Sequence, residues 1–433
     1  MAHKDADAVV IGAGIIGAAV ALELARGGRS VVCVDKGPAP GAGSTSASSS
    51  IIRFSYSTRD AVLTSWESAF DWRDWAGYLG VADPDGMAAF IHTGMLLLET
   101  PDGVLDPVLA LWDELGIAYE RFDADGLRGR FPAFDPGRYF PPKPVADPAF
   151  GDEAIGALTA VLEPEAGYID DPMLAARNLA YAAKAHGASF RFRVAVAEIE
   201  RAGDRVAGVR LAGGETISAP VVVNAAGPHS SLINSLAGIA GEMRISHRAL
   251  RQEVFVVPAP DNATLAAGTP VVSDPDLGTY FRPQAGDTIM VGGVEAACDE
   301  LEWVDPDDWR DHVTLEQFET LVYRLARRIP DLRVPARPSG VAALYDVTDD
   351  WVPLYDCTSL RGFFMACGTS GNQFKNAPMA GRFIAALVDD AAEGRDHDTD
   401  PVQLAGPHTG RAIDLSAFSR LRQRSSTSGT VMG

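Results

Sequence analysis

Cysteine is scarce in this sequence: 433 residues contain four, Cys33, Cys298, Cys357 and Cys367. They show neither CxxC spacing nor the density of a disulfide framework, which argues against a stapled secreted scaffold and for a reducing compartment. Positive charge is also in short supply. Against 58 acidic residues stand 37 basic ones, for a net charge of −21. A polyanion is repelled by phosphate backbones, so nucleic acid is not an expected partner. The eight histidines are scattered without ligand spacing, and no metal is expected. Long uninterrupted apolar runs are missing as well. The one stretch that invites a leader or membrane reading, 8–25, is broken by three glycines and Glu23 and changes period midway, so strand–turn–helix accounts for it better. A soluble, cytoplasmic protein without a membrane span is expected.

What is plentiful is apolar material, 47% of the residues, enough for a large core. The length suits two or three domains at roughly 150 residues each. Residues 7–11 read as a buried strand, 15–26 as a helix and 30–34 as a second strand, a βαβ unit. The stretch 37–50 is a loop of small residues. A helix is expected over 60–80, with Trp66, Phe70, Trp72 and Trp75 near one face, and loops with short strands over 84–150. Asp171 and Pro172 open a helix that runs to about His186 and stops at Gly187. Strands follow at 190–200, 205–211, 215–226, 252–257 and 288–292. Thr314 to Ile329 is an amphipathic helix. A strand at 362–367, a glycine-bearing turn and a helix over 377–388 come last, and the final ten residues read as a loose tail.

The motif that carries chemistry is Gly12-Ala13-Gly14-Ile15-Ile16-Gly17, between a strand and a helix. Gly12 permits the tight turn, Gly14 the close approach of a pyrophosphate, and Gly17 the packing of helix on strand. Ile15 and Ile16 open the helix whose N-terminus faces the phosphates. Asp35, at the end of the second strand, accepts hydrogen bonds from ribose hydroxyls. Lys36 borders the same site as a solvated neighbour rather than a 2′-phosphate ligand. Two further stretches favour FAD over NAD. Residues 221–229 form a strand ending in small residues, Ala226 and Gly227 among them. The turn Gly368-Thr369-Ser370-Gly371-Asn372-Gln373-Phe374-Lys375 supplies a second glycine-rich helix start. Amides and a helix N-terminus there stabilise negative charge on a reduced flavin.

Together these blocks resemble the D-amino-acid oxidase superfamily of FAD-dependent oxidoreductases, nearest the branch of sarcosine oxidase, glycine oxidase and dimethylglycine dehydrogenase. The resemblance implies a mixed α/β (α+β) fold: a Rossmann-type FAD-binding domain and a second, antiparallel-sheet substrate domain. The first would comprise 1–83, 151–240 and 336–395, the second 84–150 and 241–335, with 396–433 as an extension. It implies that the loop holding Ser44, Thr45, Ser46, Ser50 and Ile51 runs along the flavin, that Val196 contacts the adenine, and that Gly340 belongs to the cofactor site. Arg53 and Lys375 would bind a substrate carboxylate, and a two-point clamp explains a cation inside a small-residue loop and another at a helix start. The other reading of Arg53 is a structural ion pair. Tyr280, His247 and Tyr345 are candidates for tuning the amine. Where some relatives attach FAD through a cysteine, this chain has Ala343, so non-covalent FAD is expected. Where they carry a lysine that promotes reaction with oxygen, it has Met290, which leaves oxygen or another electron acceptor open. The reaction implied is oxidation of a C–N bond in a small amine or amino acid, giving an imine that hydrolyses. The alternatives are a 2-hydroxy acid or glycerol-phosphate substrate, for which Arg244, Arg248, Arg251 and Arg282 would matter, and a flavin-binding subunit without turnover.

Overall fold

A computed structural model describes residues 5–101, 103 and 105–432. At its centre is β1 (Ala8–Ile11), followed by the helix α1 (Ile15–Arg26) and β2 (Val31–Asp35). All four residues of β1 are buried. That is the signature of a parallel strand covered on both faces, and it explains why the run is apolar without alternation. Six strands make this sheet, in the order 354–357, 363–367, 221–224, β1, β2, 189–192. All neighbours are parallel except Leu354–Cys357 against Phe363–Cys367.

One face is covered by α1, which lies against the helices Pro172–Ala185 and Ala377–Ala392. Small residues make this contact close: a Cβ on Gly381 would stand 2.7 Å from the Ala19 carbonyl oxygen. The other face carries a three-stranded antiparallel sheet, 196–202, 205–211 and 216–218.

A second, nine-stranded sheet stands over the first. It is built mainly from antiparallel pairs, with His247–Pro258 as its longest strand. The helix Leu315–Arg328 covers its outer face, packing Phe318, Leu321, Val322 and Leu325 against Phe255, Phe281 and Val291. Two strands from stretches assigned by sequence to the cofactor domain, Ala160–Glu163 and Gly340–Thr348, pair in this sheet instead. Both lie beside expected boundaries, where composition does not change.

Three expectations need correction. The helix over 60–80 is two, Arg59–Arg73 and Trp75–Leu79, separated at Asp74, whose carboxylate accepts from the Gly77 amide. The 84–150 stretch contains the helices Leu105–Leu115 and Ala124–Arg130 as well as strands. The loose tail is anchored: Arg424 reaches Asp349 at 2.9 Å, and Val431 is buried; just before it, Arg422 reaches Asp350 at 2.7 Å. No helix among the described residues is long and apolar enough to cross a membrane.

Candidate functional site

A cavity of about 1100 Å³ lies between the two large sheets. It is entered from the C-terminal ends of the parallel strands, where Gly12, Gly14, Asp35, Ala225 and Thr369 meet it. Ligands bind at this edge of open α/β sheets because loops and helix N-termini converge there.

At one end are the βαβ residues. Gly12 has φ +104, and a Cβ on it would lie 2.2 Å from the Ala225 carbonyl oxygen. A Cβ on Gly17 would lie 1.9 Å from the Gly12 carbonyl oxygen, so this glycine sets the distance between α1 and β1 and does not line the cavity. Gly14, Ile15 and Ile16 do line it. Asp35 accepts from the Ala13 and Gly37 amides, both at 2.6 Å, which aims its carboxylate at the rim. Lys36 pairs with Asp307 at 2.9 Å, from the loop after strand Glu302–Trp303. His229 contacts the same Asp307 oxygen at 2.9 Å. Val196, Ala226 and Gly227 line the cavity nearby.

The loop 43–51 forms its long wall. Thr45 Oγ1 accepts from the Ile15 amide at 3.0 Å, tying loop to helix start. Ser44 donates to the Leu344 carbonyl at 2.7 Å, and Ser50, with φ +51, donates to the Ile169 carbonyl at 2.6 Å. Ser46 and Ile51 line the cavity. Opposite them is the turn 368–371, where Gly368, Ser370 and Gly371 all have positive φ. Gly371, Asn372, Gln373, Phe374 and Lys375 line the cavity, whereas Gly368 and Ser370 support the turn from behind. Ala343 stands on the cavity wall, and among the described residues no cysteine lines it.

These residues fit an elongated dinucleotide: phosphate-approach glycines at one end, a carboxylate for ribose, and a long wall of small residues toward a second glycine turn. The comparisons agree. A match to the DAO family, FAD dependent oxidoreductase, spans residues 7–387. The chain belongs to that family. It is 28% identical to D-amino acid dehydrogenase of Paramagnetospirillum magneticum, over 88% of this chain and 94% of the relative. It is 24% identical to glycine oxidase of Geobacillus kaustophilus, over 90% and 94%. Among solved structures, L-proline dehydrogenase from P. horikoshii superposes with a TM-score of 0.73 at 22% identity, covering 91% of this chain and 95% of that one. FAD is thus the cofactor, and the chain is an FAD-dependent oxidoreductase.

At the far end of the cavity the structure brings Arg53 and Lys375 together around Tyr56. The Arg53 guanidinium stands 4.6 Å from the Tyr56 ring centre, and Lys375 Nζ donates to the Tyr56 hydroxyl at 3.0 Å and to the Asn372 carbonyl at 2.6 Å. Arg53 is 3% exposed and donates to the Ser55 carbonyl and, at 2.8 Å, to that of Val431. The two cations are not equivalent. Burial, then the neighbouring Arg53, pushes the Lys375 amine well below the ordinary lysine range, against the opposing pull of Glu163. Tyr280 lines the cavity, with its hydroxyl 2.6 Å from Ser49 Oγ.

His247 is not at the cavity. Its Nδ1 meets Asp346 at 2.7 Å and its Nε2 meets Asn234 at 3.0 Å. Burial opposes its protonation, but Asp346 outweighs that and holds its pKa well above the ordinary histidine value. Asp346 in turn accepts from the Gly368 amide and, through its carbonyl, from the Ser370 amide, both at 2.6 Å. His247 therefore braces the turn from outside the cavity lining. With Cys367 it forms a buried His–Asp–Cys group that linear spacing did not reveal. Gly340 also lies off the cavity. A Cβ on it would meet the Val254 carbonyl oxygen at 2.2 Å, so it is glycine for strand pairing.

Sequence reasoning missed Glu163. Its Oε2 accepts from the Phe54 amide at 3.0 Å, and its Oε1 is buried without a partner. Burial pushes its carboxyl up to about 7, against the pull of the Phe54 amide, Ser55, Arg53 and Lys375. An ordinary glutamate titrates at 4.5. The folded state therefore holds the proton more tightly than the unfolded one. Stability is highest below the unfolded value, falls as pH rises, and the cost is complete above about 7. That cost is about 3 kcal/mol at 1.36 kcal/mol per unit. Glu163→Gln is expected to raise Tm more at about pH 8 than at about pH 6. Equal gains at both, by differential scanning calorimetry, would remove its titration as the cause.

Proposed function

We propose that this enzyme oxidises the C–N bond of a small amino acid or N-substituted amino acid, giving an imine that hydrolyses in water. The observation that carries this reading is Arg53. It is a buried cation beside the cavity whose hydrogen-bond partners, Ser55 and Val431, are neutral oxygens. The carboxyl in electrostatic reach of it, Glu163, is pushed by burial up to about 7, so below that pH a substrate carboxylate supplies the missing charge. The relatives named above act, by their names, on amino acids.

When bound, FAD supplies the hydride acceptor. The protein's part is positioning. Arg53 anchors the carboxylate, Lys375 borders it with Tyr56 behind the two, and Met95, Ile51, Tyr280, Tyr345 and Met432 exclude water around the carbon that is oxidised. The glycerol-phosphate alternative needs basic residues in the cavity, and the four arginines weighed for it are elsewhere. Arg251 pairs with Glu253 and Glu302, both at 2.8 Å, and Arg248 lies over Trp303. Arg282 donates to the Ser49 carbonyl, and Arg244 to that of Leu421. Met290 packs beside Tyr280 and Val254, so no lysine ammonium stands there, and we leave the acceptor as oxygen or another electron carrier. Four free cysteines suit the reducing, cytoplasmic setting we assign. The sarcosine-oxidase-like branch is our assignment too, resting on the Arg53 and Lys375 positions.

The test is flavin absorbance of the anaerobic holoenzyme during addition of D- and L-amino acids, N-methyl and cyclic amino acids, and 2-hydroxy acids. Bleaching by an amino acid is expected, and admitting air then reveals whether oxygen restores the colour. Bleaching by a hydroxy acid alone overturns the reading.

A further inference from the structure

Val431 occupies the cavity end in a particular way. Its carbonyl oxygen accepts from Arg53 Nη2 at 2.8 Å, and its own amide donates to Glu295 Oε2 at 2.8 Å. The two atoms flank one Cα, which is the N–Cα–C spacing of a free α-amino acid. The Val431 side chain packs with Leu250, Val347 and Trp351, and Tyr345 borders the group. One residue of the chain thus displays carboxyl-like oxygen, amine-like N–H and apolar side chain to three separate receivers.

Glu295 is held for this contact. Its φ is +53, a conformation uncommon outside glycine and found where a side chain must be aimed. Its other oxygen accepts from Gln252 Nε2 at 3.1 Å. Among the described residues, the ionisable groups that act on it are Tyr280, Tyr345 and Asp299. Burial pushes its carboxyl up to about 8. A carboxyl with such a value close to a cationic amine is suited to exchange a proton with it at neutral pH.

We propose that Glu295 is the amine-binding residue: an α-amino acid with an apolar side chain replaces Val431, its carboxylate on Arg53 and its ammonium on Glu295. This rests on the oxidation reading above and specifies its substrate. In the first step an ammonium N–H bond breaks and the Glu295 O–H bond forms. The electron pair stays on nitrogen, where it assists departure of the Cα hydride. Glu295 later returns the proton to water.

The holoenzyme and its Glu295→Gln variant decide this, with valine of both enantiomers and isovalerate, its analogue without the amine, as probes. Wild-type kcat/KM for the reactive enantiomer is expected to rise with pH through a group near 8. In Glu295→Gln that limb disappears and the rise moves to where free valine loses its own proton, with about a 10²-fold loss near neutral pH. Binding, followed by perturbation of the flavin spectrum under anaerobic conditions, is expected to weaken about tenfold or more for the valine enantiomers and to stay unchanged for isovalerate. Glu295→Asp restores part of the acid limb. An unchanged pH profile with equal effects on valine and isovalerate overturns the proposal. If neither enzyme form is reduced by any amino acid, the oxidation reading fails instead, and the comparison of valine with isovalerate still decides Glu295.

Discussion

Replacing Arg53 with methionine is expected to lower kcat/KM for an amino acid by about 30- to 4000-fold while leaving the bound FAD in place. Removing one partner of a buried, hydrogen-bonded charge pair costs about 2–5 kcal/mol, and 1.4 kcal/mol is a factor of ten. The loss should fall on kcat as well as KM, because an unanchored carboxylate lets the Cα–H swing away from its productive position. Arg53→Lys should recover only part of it. A lysine ammonium is a point donor and cannot reproduce the planar fork that now spans Ser55 and Val431. Steady-state kinetics with flavin content measured in parallel is the check. A methionine variant with full flavin and kcat/KM within about threefold of wild type would move carboxylate recognition away from this residue.

The second large effect is on the cofactor. Gly17→Ala is expected to yield protein that purifies with little or no flavin. The new methyl carbon would sit 1.9 Å from the Gly12 carbonyl oxygen, and that obstacle is backbone, so no rotamer change relieves it. Helix α1 has to move off β1, and its N-terminus leaves the phosphate position that Thr45 and Asp35 are set around. Gly129→Ala is the control: it lies in the helix Ala124–Arg130, and a Cβ there meets nothing within 4 Å. Flavin absorbance per polypeptide compares the two, with circular dichroism to confirm that both are folded. Stoichiometric FAD in Gly17→Ala would mean that the cofactor does not depend on this helix contact.

These two sites differ in how far the amino-acid order reveals them. The glycine turn was legible because backbone geometry dictates residue type there: Gly12 has φ +104, and Gly17 lies against a carbonyl. The same logic exposed the turn around Gly371, where a Cβ would run into the Tyr345 ring at 2.4 Å. Glu163 and Glu295 left no such trace, since each is an ordinary glutamate in the chain and becomes unusual only through what folds around it. His247 shows the converse error. Its chemistry suits a tuning role, but nothing local says whether a strand residue points into a cavity or toward a neighbour such as Asp346. The arginine- and serine-rich tail looked loose because its partners, Asp349 and Asp350, lie about seventy residues away. The helix Leu105–Leu115 was hidden by Pro107 and the glycine-rich surroundings, although Val108, Leu109, Trp112 and Leu115 share its buried face.

The order of strands in the parallel sheet also has a consequence for synthesis. β1 is made first, yet its neighbour on one side is Val221–Asn224, and beyond that lies Phe363–Cys367. At about 5–20 residues per second, a ribosome needs tens of seconds to get from one to the other. During that interval the glycine turn exists without the wall that faces it, and half of α1's cover, the helix Ala377–Ala392, has yet to emerge. Flavin loading is therefore a late event in the life of the nascent chain, and until it happens the apolar residues of β1 lack part of their final cover.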